Sequence, residues 1–118
     1  MSVTTVAHRL VDLCKDSLDQ QAVDELYSND IVSVECGEQV MRTEGMPGLQ
    51  EKMQWWYNNH EVHSIEVEGP YLSAGNQFAV KFTLDCTPKD GERNVASEIA
   101  VYTVGNGKVI HEEFWYGA

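Results

Sequence analysis

The chain has 118 residues and a hydrophobic content of 42%, which is enough for one compact domain and argues against disorder. Its formal net charge of −11, from 8 basic and 19 acidic residues, argues against nucleic acid and anionic membranes as partners, because phosphate binding needs clustered Lys and Arg. No signal-peptide pattern is present and no apolar run reaches the roughly 18 residues that span a membrane, so we expect one cytoplasmic domain over residues 1–118.

Two helices are predicted at the start of the chain. Between Val3 and Leu18 the apolar residues recur at the spacing of one helix face. Asp19 can cap a second, shorter helix, and Ser28-Asn29-Asp30 is expected to end it. Both helices therefore have one apolar side that must pack against another element.

A strand and a third helix are predicted next. The segment from Ile31 to Cys36 is rich in β-branched residues, which favours a strand. Gly45-Met46-Pro47-Gly48 then precedes a helix, because proline suits the first helical turn, where its missing N–H would have no partner. Apolar residues follow at helical spacing, and the helix is expected to end near Asn58-Asn59.

The remainder of the chain alternates between apolar and polar residues, which predicts a series of antiparallel strands. The residues expected to share a strand face are His63, Ile65 and Val67; then Phe78, Val80, Phe82 and Leu84; then Val95, Ile99 and Val101; then Ile110, Phe114 and Tyr116. Turns are expected at Gly69-Pro70, Ala74-Gly75-Asn76, Pro88-Lys89-Asp90-Gly91 and Gly105-Asn106-Gly107. Helices followed by such a meander predict an α+β fold with the helices on one face of a curved sheet.

This order of elements resembles the NTF2-like superfamily and its SnoaL-like and ketosteroid isomerase members. The stretch Leu26 to Glu35 looks like the end of their second helix and the start of their first strand, and Gly107 to Phe114 looks like their final strand. The resemblance covers nearly the whole chain, and Trp55-Trp56 with Asn59 to His63 is similar to an uncharacterised bacterial SnoaL-like subgroup.

That resemblance implies a cystatin-like α+β cone, with three N-terminal helices packed on a curved, mainly antiparallel sheet. It also implies one apolar pocket and a homodimer formed through the convex sheet face. The last strand is compatible with a dimer, because it carries Val109 and Trp115 on one side and Ile110 and Phe114 on the other. Function does not follow from this fold alone, which hosts isomerases, dehydratases, cyclases, hydrolases and binding domains.

Glu35 is the first candidate for a catalytic residue. Aligned through Tyr27-Ser28-Asn29-Asp30, it falls at the position of the general base of the isomerases. A carboxylate that ends an apolar strand and points into an apolar cup would have its charged form disfavoured, so its pKa would rise toward the range useful for proton transfer. The alternative is that Glu35, beside Gly37, simply reaches water.

The isomerase oxyanion hole is not reproduced in the sequence. That site needs a phenol from the first helix and a protonated acid from the penultimate strand. The first helix has no tyrosine, and the aligned strand position is Ile99, with Glu98 expected on the opposite face. Another donor must then stabilise an oxyanion, and the available types are His63, Tyr102, Tyr57 and Trp56.

The segment Gln54 to His63 combines aromatic, imidazole and carboxylate groups. His60 and His63 are three residues apart, so a regular strand would point them to opposite faces, which does not favour a metal site. Glu61 and His63 would share a face and could form an acid–base couple, as could His111 and Glu113; exposed ion pairs are the alternative for both.

The remaining aromatic residues complete the predicted site. Trp55, Trp56, Tyr57 and Tyr102 are the expected lining of a ligand pocket, although Trp56 also suits the seam between helix and sheet. No cofactor motif is present, and the three cysteines are expected to be free and buried. Three functions stay open: a cofactor-free isomerase, lyase or cyclase with Glu35 and His63 as catalytic groups, a domain that binds a small apolar molecule, or a dimerisation module.

Overall fold

A computed structural model describes residues 1–116, so the last two residues of the predicted 1–118 domain lie outside the described part. It has three helices and six strands. In chain order they are α1 (Val3–Lys15), α2 (Asp19–Leu26), β1 (Tyr27–Cys36), β2 (Val40–Glu44), α3 (Met46–Asn58), β3 (His60–Leu72), β4 (Gln77–Pro88), β5 (Asn94–Gly105) and β6 (Lys108–Trp115). The α+β class is confirmed.

The order of helices differs from the expected three N-terminal helices. Only α1 and α2 precede the sheet, because β1 and β2 both come before α3. The second of these strands was not predicted; its residues are mostly exposed, so no apolar alternation marks it. β1 also starts at Tyr27 rather than at Ile31, and a register shift between Tyr27 and Val32 accommodates the polar residues that were expected to form a stop.

The six strands form one mixed sheet in the order β2-β1-β6-β5-β4-β3. Neighbouring strands are antiparallel except for β1 and β6, which are parallel. The predicted turns at Ala74-Gly75-Asn76, Pro88 to Gly91 and Gly105 to Gly107 separate strands as expected. Gly69-Pro70 does not, since it lies inside β3 at a register shift between Glu68 and Tyr71.

The core lies between the helices and the concave face of the sheet. Leu10 and Leu26 of the first two helices, with Phe78 and Val80 of β4, are among its fully buried side chains. Val109 also belongs to the core, so its predicted placement on the side of Trp115 is wrong. The reason is a register shift between Thr103 and Val104 of β5, where β6 has one extra residue. The alternation of inward and outward side chains therefore changes phase between the start and the end of β6.

The residue that precedes α3 is hydrogen-bonded to the sheet. Gly45 precedes the helix with a φ of 81°, a conformation that favours glycine, and its N–H donates to the carbonyl of Ile31 in β1 at 2.7 Å. Leu49 is buried and Met53 packs against the core. Because residues three and four apart share a helix face, Lys52 lies on this inward side as well. Among residues 1–116 no helix is long and apolar enough to cross a membrane.

Candidate functional site

Polar side chains meet on the concave face where β1, β6 and β5 lie side by side. Ser33 of β1 is opposite Glu112 of β6, which is opposite Tyr102 of β5. Residues directly opposite one another share a sheet face, so these three form a row across three strands. Glu35 is opposite Phe114 in the next row, two residues further along.

Glu98 belongs to the same concave face, which corrects its expected position on the opposite one. On β5 it precedes Tyr102 by four residues, and an even separation on a strand places two side chains on one side. It is also opposite Phe82, a core residue of β4. The penultimate strand therefore does present an inward carboxyl group, and Ile99 is the residue that faces outward.

Glu112 is the most deeply buried acidic side chain of this group, with 3% exposure. Its Oε1 accepts a short hydrogen bond from the Tyr27 hydroxyl, and its Oε2 accepts one from the Ser33 hydroxyl at 2.6 Å. Burial raises the pKa of Glu112, while the bonds from Ser33 and Tyr27 act in the opposite direction. Both carboxyl oxygens are thus satisfied inside the core.

Lys52 lies between the buried Ser33–Glu112 pair and the partly exposed Glu35. Its ammonium donates to the Ser33 Oγ at 2.7 Å and lies 2.7 Å from the Glu35 Oε1, and each side chain of the Lys52–Glu35 ion pair is 24% exposed. It also lies 5.5 Å from the ring centroid of Phe114, within the range of a cation–π interaction. We refer to Ser33, Glu35, Lys52, Glu98 and Glu112 as the carboxylate cluster.

The charges of the cluster converge on Glu98. Burial, and then the negative charges of Glu35 and Glu112, raise its pKa, Lys52 lowers it, and the net result is a pKa of about 7. Burial also raises the pKa of the Tyr116 hydroxyl, and the negative charges of Glu35 and Glu98 add to that effect. Glu98 therefore has a pKa near neutrality, which is where a group that both accepts and donates protons is most effective.

His63 does not lie on the face predicted for it. Residues Val62 and Ser64 pair with consecutive residues of β4, which leaves His63 as the extra residue of a bulge. Its side chain is exposed and its Nε2 lies 2.8 Å from the Thr87 Oγ1. The bulge is why the period-two reading that grouped His63 with Ile65 and Val67 is wrong. A catalytic role for His63 stays a prediction that none of its contacts supports.

The predicted pocket residues do not come together. Trp56 stacks on His60 with ring centroids 4.4 Å apart, at the seam between α3 and β3, whereas Trp55 is 62% exposed. Tyr102 is buried in the core, where it stacks on Phe78. Of the four, Tyr57 is the one that borders a space enclosed by other side chains.

That space is a cleft of about 460 Å³ between the α1–α2 turn, the end of α3 and β3. The Tyr57 hydroxyl donates a short hydrogen bond to Asp19 across it, and burial raises the pKa of Asp19. Leu18, Val62 and Ile65 supply its apolar lining. No residue of the carboxylate cluster lines the cleft, so the two features are separate.

Metal-binding chemistry has no geometric basis in the described part of the chain. Residues 1–116 contain no group of three or more His, Cys, Asp or Glu side chains placed to hold a metal ion. The three cysteines are free, as predicted. Cys14 and Cys86 are buried, but Cys36 is only partly so.

Four residues of the cluster, all except Glu35, were not predicted as site residues, and two of them had a signal in the sequence. Lys52 is three residues after Leu49 on the apolar face of α3. Glu98 precedes Tyr102 at even spacing, but Ile99 and Val101 offered an equally apolar opposite face. Glu112 could not be found in this way, because the register shift beside Val109 breaks the alternation.

Comparison with known proteins gives a consistent result. A family model described as a SnoaL-like domain matches residues 1–116. One similar crystal structure is that of a Mesorhizobium loti protein named as a candidate SnoaL-like polyketide cyclase, with carbohydrate phosphatase in brackets. The two sequences are 42% identical and the TM-score is 0.93. The alignment covers 98% of this chain and 100% of the Mesorhizobium loti chain.

More distant structures share the fold. A candidate polyketide cyclase from Pseudomonas putida is 17% identical with a TM-score of 0.72, covering 98% of this chain and 92% of its own. A candidate isomerase from Bacillus subtilis is 18% identical with a TM-score of 0.77, covering 98% and 89%. No protein of curated function matches the chain. The resemblance predicted from the sequence is thereby confirmed.

Proposed function

Because this chain belongs to the SnoaL-like domain family, we propose that it is a one-domain, cofactor-free enzyme that moves a proton on a small, largely apolar carbonyl compound, as an isomerase, lyase or cyclase does. The observation that carries the proposal is that Glu35 contacts Lys52 at the concave sheet face, where Glu98 and Glu112 lie close enough for their charges to interact with the same lysine. We also propose a cytoplasmic location, which the free state of all three cysteines supports.

The two outer carboxyl groups have complementary roles in this proposal. Glu35 is the base: it is partly exposed, so a substrate can reach it, and it takes a proton from the carbon next to the carbonyl group. Glu98 in its protonated form donates a hydrogen bond to the carbonyl oxygen as negative charge develops there. Its pKa of about 7 keeps a large fraction protonated at neutral pH.

The named relatives fit this chemistry. The Mesorhizobium loti and Pseudomonas putida proteins are named as candidate polyketide cyclases and the Bacillus subtilis protein as a candidate isomerase. Formation of a carbon–carbon bond beside a carbonyl group and migration of a double bond both begin with loss of the proton that Glu35 would remove. A compound with one or more ketone groups on an apolar body is therefore the substrate class that we propose.

The test is exchange of carbon-bound protons for deuterium, which needs no knowledge of the final product. A panel of apolar ketones that includes 2-tetralone is incubated with the protein in D₂O and followed by ¹H NMR. Wild-type protein and the exposed control Glu66→Gln should accelerate exchange over buffer, and Glu35→Gln should not. Equal rates for wild type and Glu35→Gln across the panel would refute Glu35 as the base.

Glu98 has its own signature in the same assay. The wild-type rate should fall as the pH rises through about 7, because Glu98 then loses the proton that it donates. A glutamine amide donates at any pH, so Glu98→Gln should keep activity but lose that fall, whereas Glu98→Ala should be slow throughout. A fall of the same size in Glu98→Gln would exclude Glu98 as the group responsible.

Binding without chemistry is a second candidate function, and the separate cleft beside Tyr57 favours it. Its volume of about 460 Å³ exceeds the roughly 300 Å³ that small-molecule sites need, and its lining combines apolar side chains with the Asp19 carboxyl group. An apolar ketone that shifts NMR signals of residues 17–21, 57, 62 and 65 but leaves those of the carboxylate cluster unchanged, and that is recovered without deuterium, would favour this function.

A homodimer through the convex sheet face is also proposed. Val95 and Trp115 are exposed by 66% and 49%, and Ile99 and Val101 lie partly exposed on the same outward side. Apolar side chains on both faces of a sheet need a second partner besides the core. Val101→Glu should convert a dimer to a monomer in light scattering after size exclusion, with Lys15→Glu at an exposed position of α1 as the control; a wild-type monomer would refute it.

A further inference from the structure

Lys52 differs from the other cationic side chains of the described structure. Among residues 1–116 it is the one lysine or arginine with hydrogen bonds to side chains of the concave sheet face; Arg9, Arg42 and Arg93 instead pair with exposed or outward acids. An ammonium group has three N–H donors; one is used in the hydrogen bond to Ser33, and the Glu35 carboxylate lies 2.7 Å from the nitrogen as an ion pair. A further acceptor near the Glu35 carboxylate can therefore be bound by the same group.

We propose that Lys52 is a catalytic residue that stabilises the oxyanion formed when Glu35 removes a proton, and that Ser33 and Glu112 are positioning residues that hold its ammonium group. This inference rests on the proposed function for the identity of the reaction. It adds a second donor to the protonated Glu98; the sequence had offered His63, Tyr102, Tyr57 and Trp56 for this role.

The charge balance of the proton transfer is the first argument. Before the step, the Lys52 ammonium is in direct contact with one carboxylate, that of Glu35. In the step, the carbon–hydrogen bond of the substrate breaks, the proton binds a Glu35 oxygen, the electron pair forms a carbon–carbon double bond, and the carbonyl pair moves to oxygen. Glu35 is then neutral and the substrate oxygen negative, so the ammonium exchanges its contact with one negatively charged oxygen for a contact with another.

The direction of the hydrogen bonds is the second argument. Ser33 has a single hydroxyl proton and donates it to the Glu112 Oε2 at 2.6 Å, so its oxygen must accept from Lys52. Glu112 is 3% exposed and its other oxygen accepts from the Tyr27 hydroxyl, so it does not reach a ligand. The buried pair thus orients the ammonium without taking part in the reaction.

The alternative donors are poorly placed for this task. Tyr102 is 2% exposed within the core, and the Tyr57 hydroxyl donates to Asp19 at the cleft. His63 is exposed on a bulge of β3 and contacts Thr87. Trp56 packs on His60 at the seam between helix and sheet. Lys52, at 24% side-chain exposure and 2.7 Å from the proposed base, is both anchored and reachable.

The experiment uses Glu35→Gln as a mimic of the state after proton transfer, because the neutral amide leaves Lys52 without its anionic partner. The probe is 2,4-dinitrophenolate, a small aromatic oxyanion, titrated at about pH 6, below the value of about 7 at which Glu98 loses its proton. Glu35→Gln should bind it at least about tenfold more tightly than wild type, since hydrogen bonds to charged groups contribute this much.

Second substitutions identify the group responsible. In the Glu35→Gln background, Lys52→Met and Lys52→Gln should each abolish the gain, while Lys81→Met, which removes an exposed lysine, should keep it. Ser33→Ala should reduce the gain and Ser33→Thr, which retains the hydroxyl, should restore it. Each variant is checked for a native fold by its ¹H–¹⁵N NMR spectrum. Equal affinity in wild type and Glu35→Gln, or a gain that survives both Lys52 variants, would overturn the inference.

The binding assay tests the role of Lys52 and the exchange assay tests the proposed enzyme, so either proposal can be refuted while the other is supported. A gain in probe affinity that depends on Lys52, with no deuterium exchange by wild type, would support Lys52 as an oxyanion-binding group and refute the proposed enzyme. Exchange that requires Glu35 but proceeds at the wild-type rate in Lys52→Met would refute Lys52 and retain the enzyme.

Discussion

The protonation of Glu98 should be measurable as a dependence of folding stability on pH. Its pKa rises from an ordinary value of 4.5 to about 7, chiefly by burial and then through the charges of Glu35 and Glu112. The folded chain therefore binds this proton more tightly than the unfolded chain does. The contribution of Glu98 to folding stability is greatest below pH 4.5 and is lost as the pH rises from there to about 7. Above about 7 this contribution no longer changes with pH.

The size of the effect follows from that interval. Between 4.5 and about 7, and with about 1.4 kcal/mol for each pH unit, Glu98 should lower the free energy of unfolding by about 3–4 kcal/mol. Glu98→Gln removes the titrating proton and keeps the shape of the side chain. The variant should therefore be about as stable as wild type at low pH and more stable than wild type above pH 7 by about 3–4 kcal/mol.

Urea denaturation between about pH 5 and 8 provides the assay, since the linear extrapolation gives the free energy of unfolding at each pH. The comparison must be made as wild type minus variant, because burial also raises the pKa of Glu112 and Asp19. Glu66→Gln, an exposed residue of β3, is the control and should follow the wild-type curve. A difference between wild type and Glu98→Gln that stays constant over this range would refute the reasoning.

Two further predictions concern the same part of the molecule. Lys52→Met should raise the pKa of Glu98 above about 7, because the ammonium is the one neighbour that lowers it; ¹³C NMR titration of the side-chain carboxyl measures this, and a fall would contradict it. Among the cysteines, Cys36 should react first with a thiol-specific disulfide reagent, as it is partly exposed, while burial holds the pKa of Cys14 at about 12 and should protect it until the chain unfolds. Mass spectrometry of partly labelled protein identifies the order, and early labelling of Cys14 would contradict the described packing.

The sequence predicts the fold well because burial imposes regular periods on it. The bounds of α1 and α3 and the core face of β4 follow from apolar spacing alone, and the structure has them close to where they were expected. The failures occur where a period is interrupted. β2 has little buried surface, the bulge at His63 shifts the phase of β3, and the register shift beside Val109 does the same for β6.

The candidate site was harder to predict because it is assembled across strands that are distant in sequence. Glu35 could be named from its own segment, but its meaning depends on Lys52 from α3 and on Glu98 and Glu112 from β5 and β6. The parallel pairing of β1 with β6 is what brings Ser33 beside Glu112, and no local pattern specifies that pairing.

The same assembly explains why buried carboxyl groups occur in so small a core. A carboxyl group in an apolar environment costs stability unless it is paired or protonated. Here Glu112 is satisfied by two hydroxyl groups, Glu35 by Lys52, and Glu98 by its proton. Of the three, Glu98 is the one whose stabilisation depends on pH, because it requires the proton. A domain selected for stability alone would have an apolar residue there, so the stability that Glu98 has cost by the time the pH reaches neutrality is itself an argument that the position serves proton transfer.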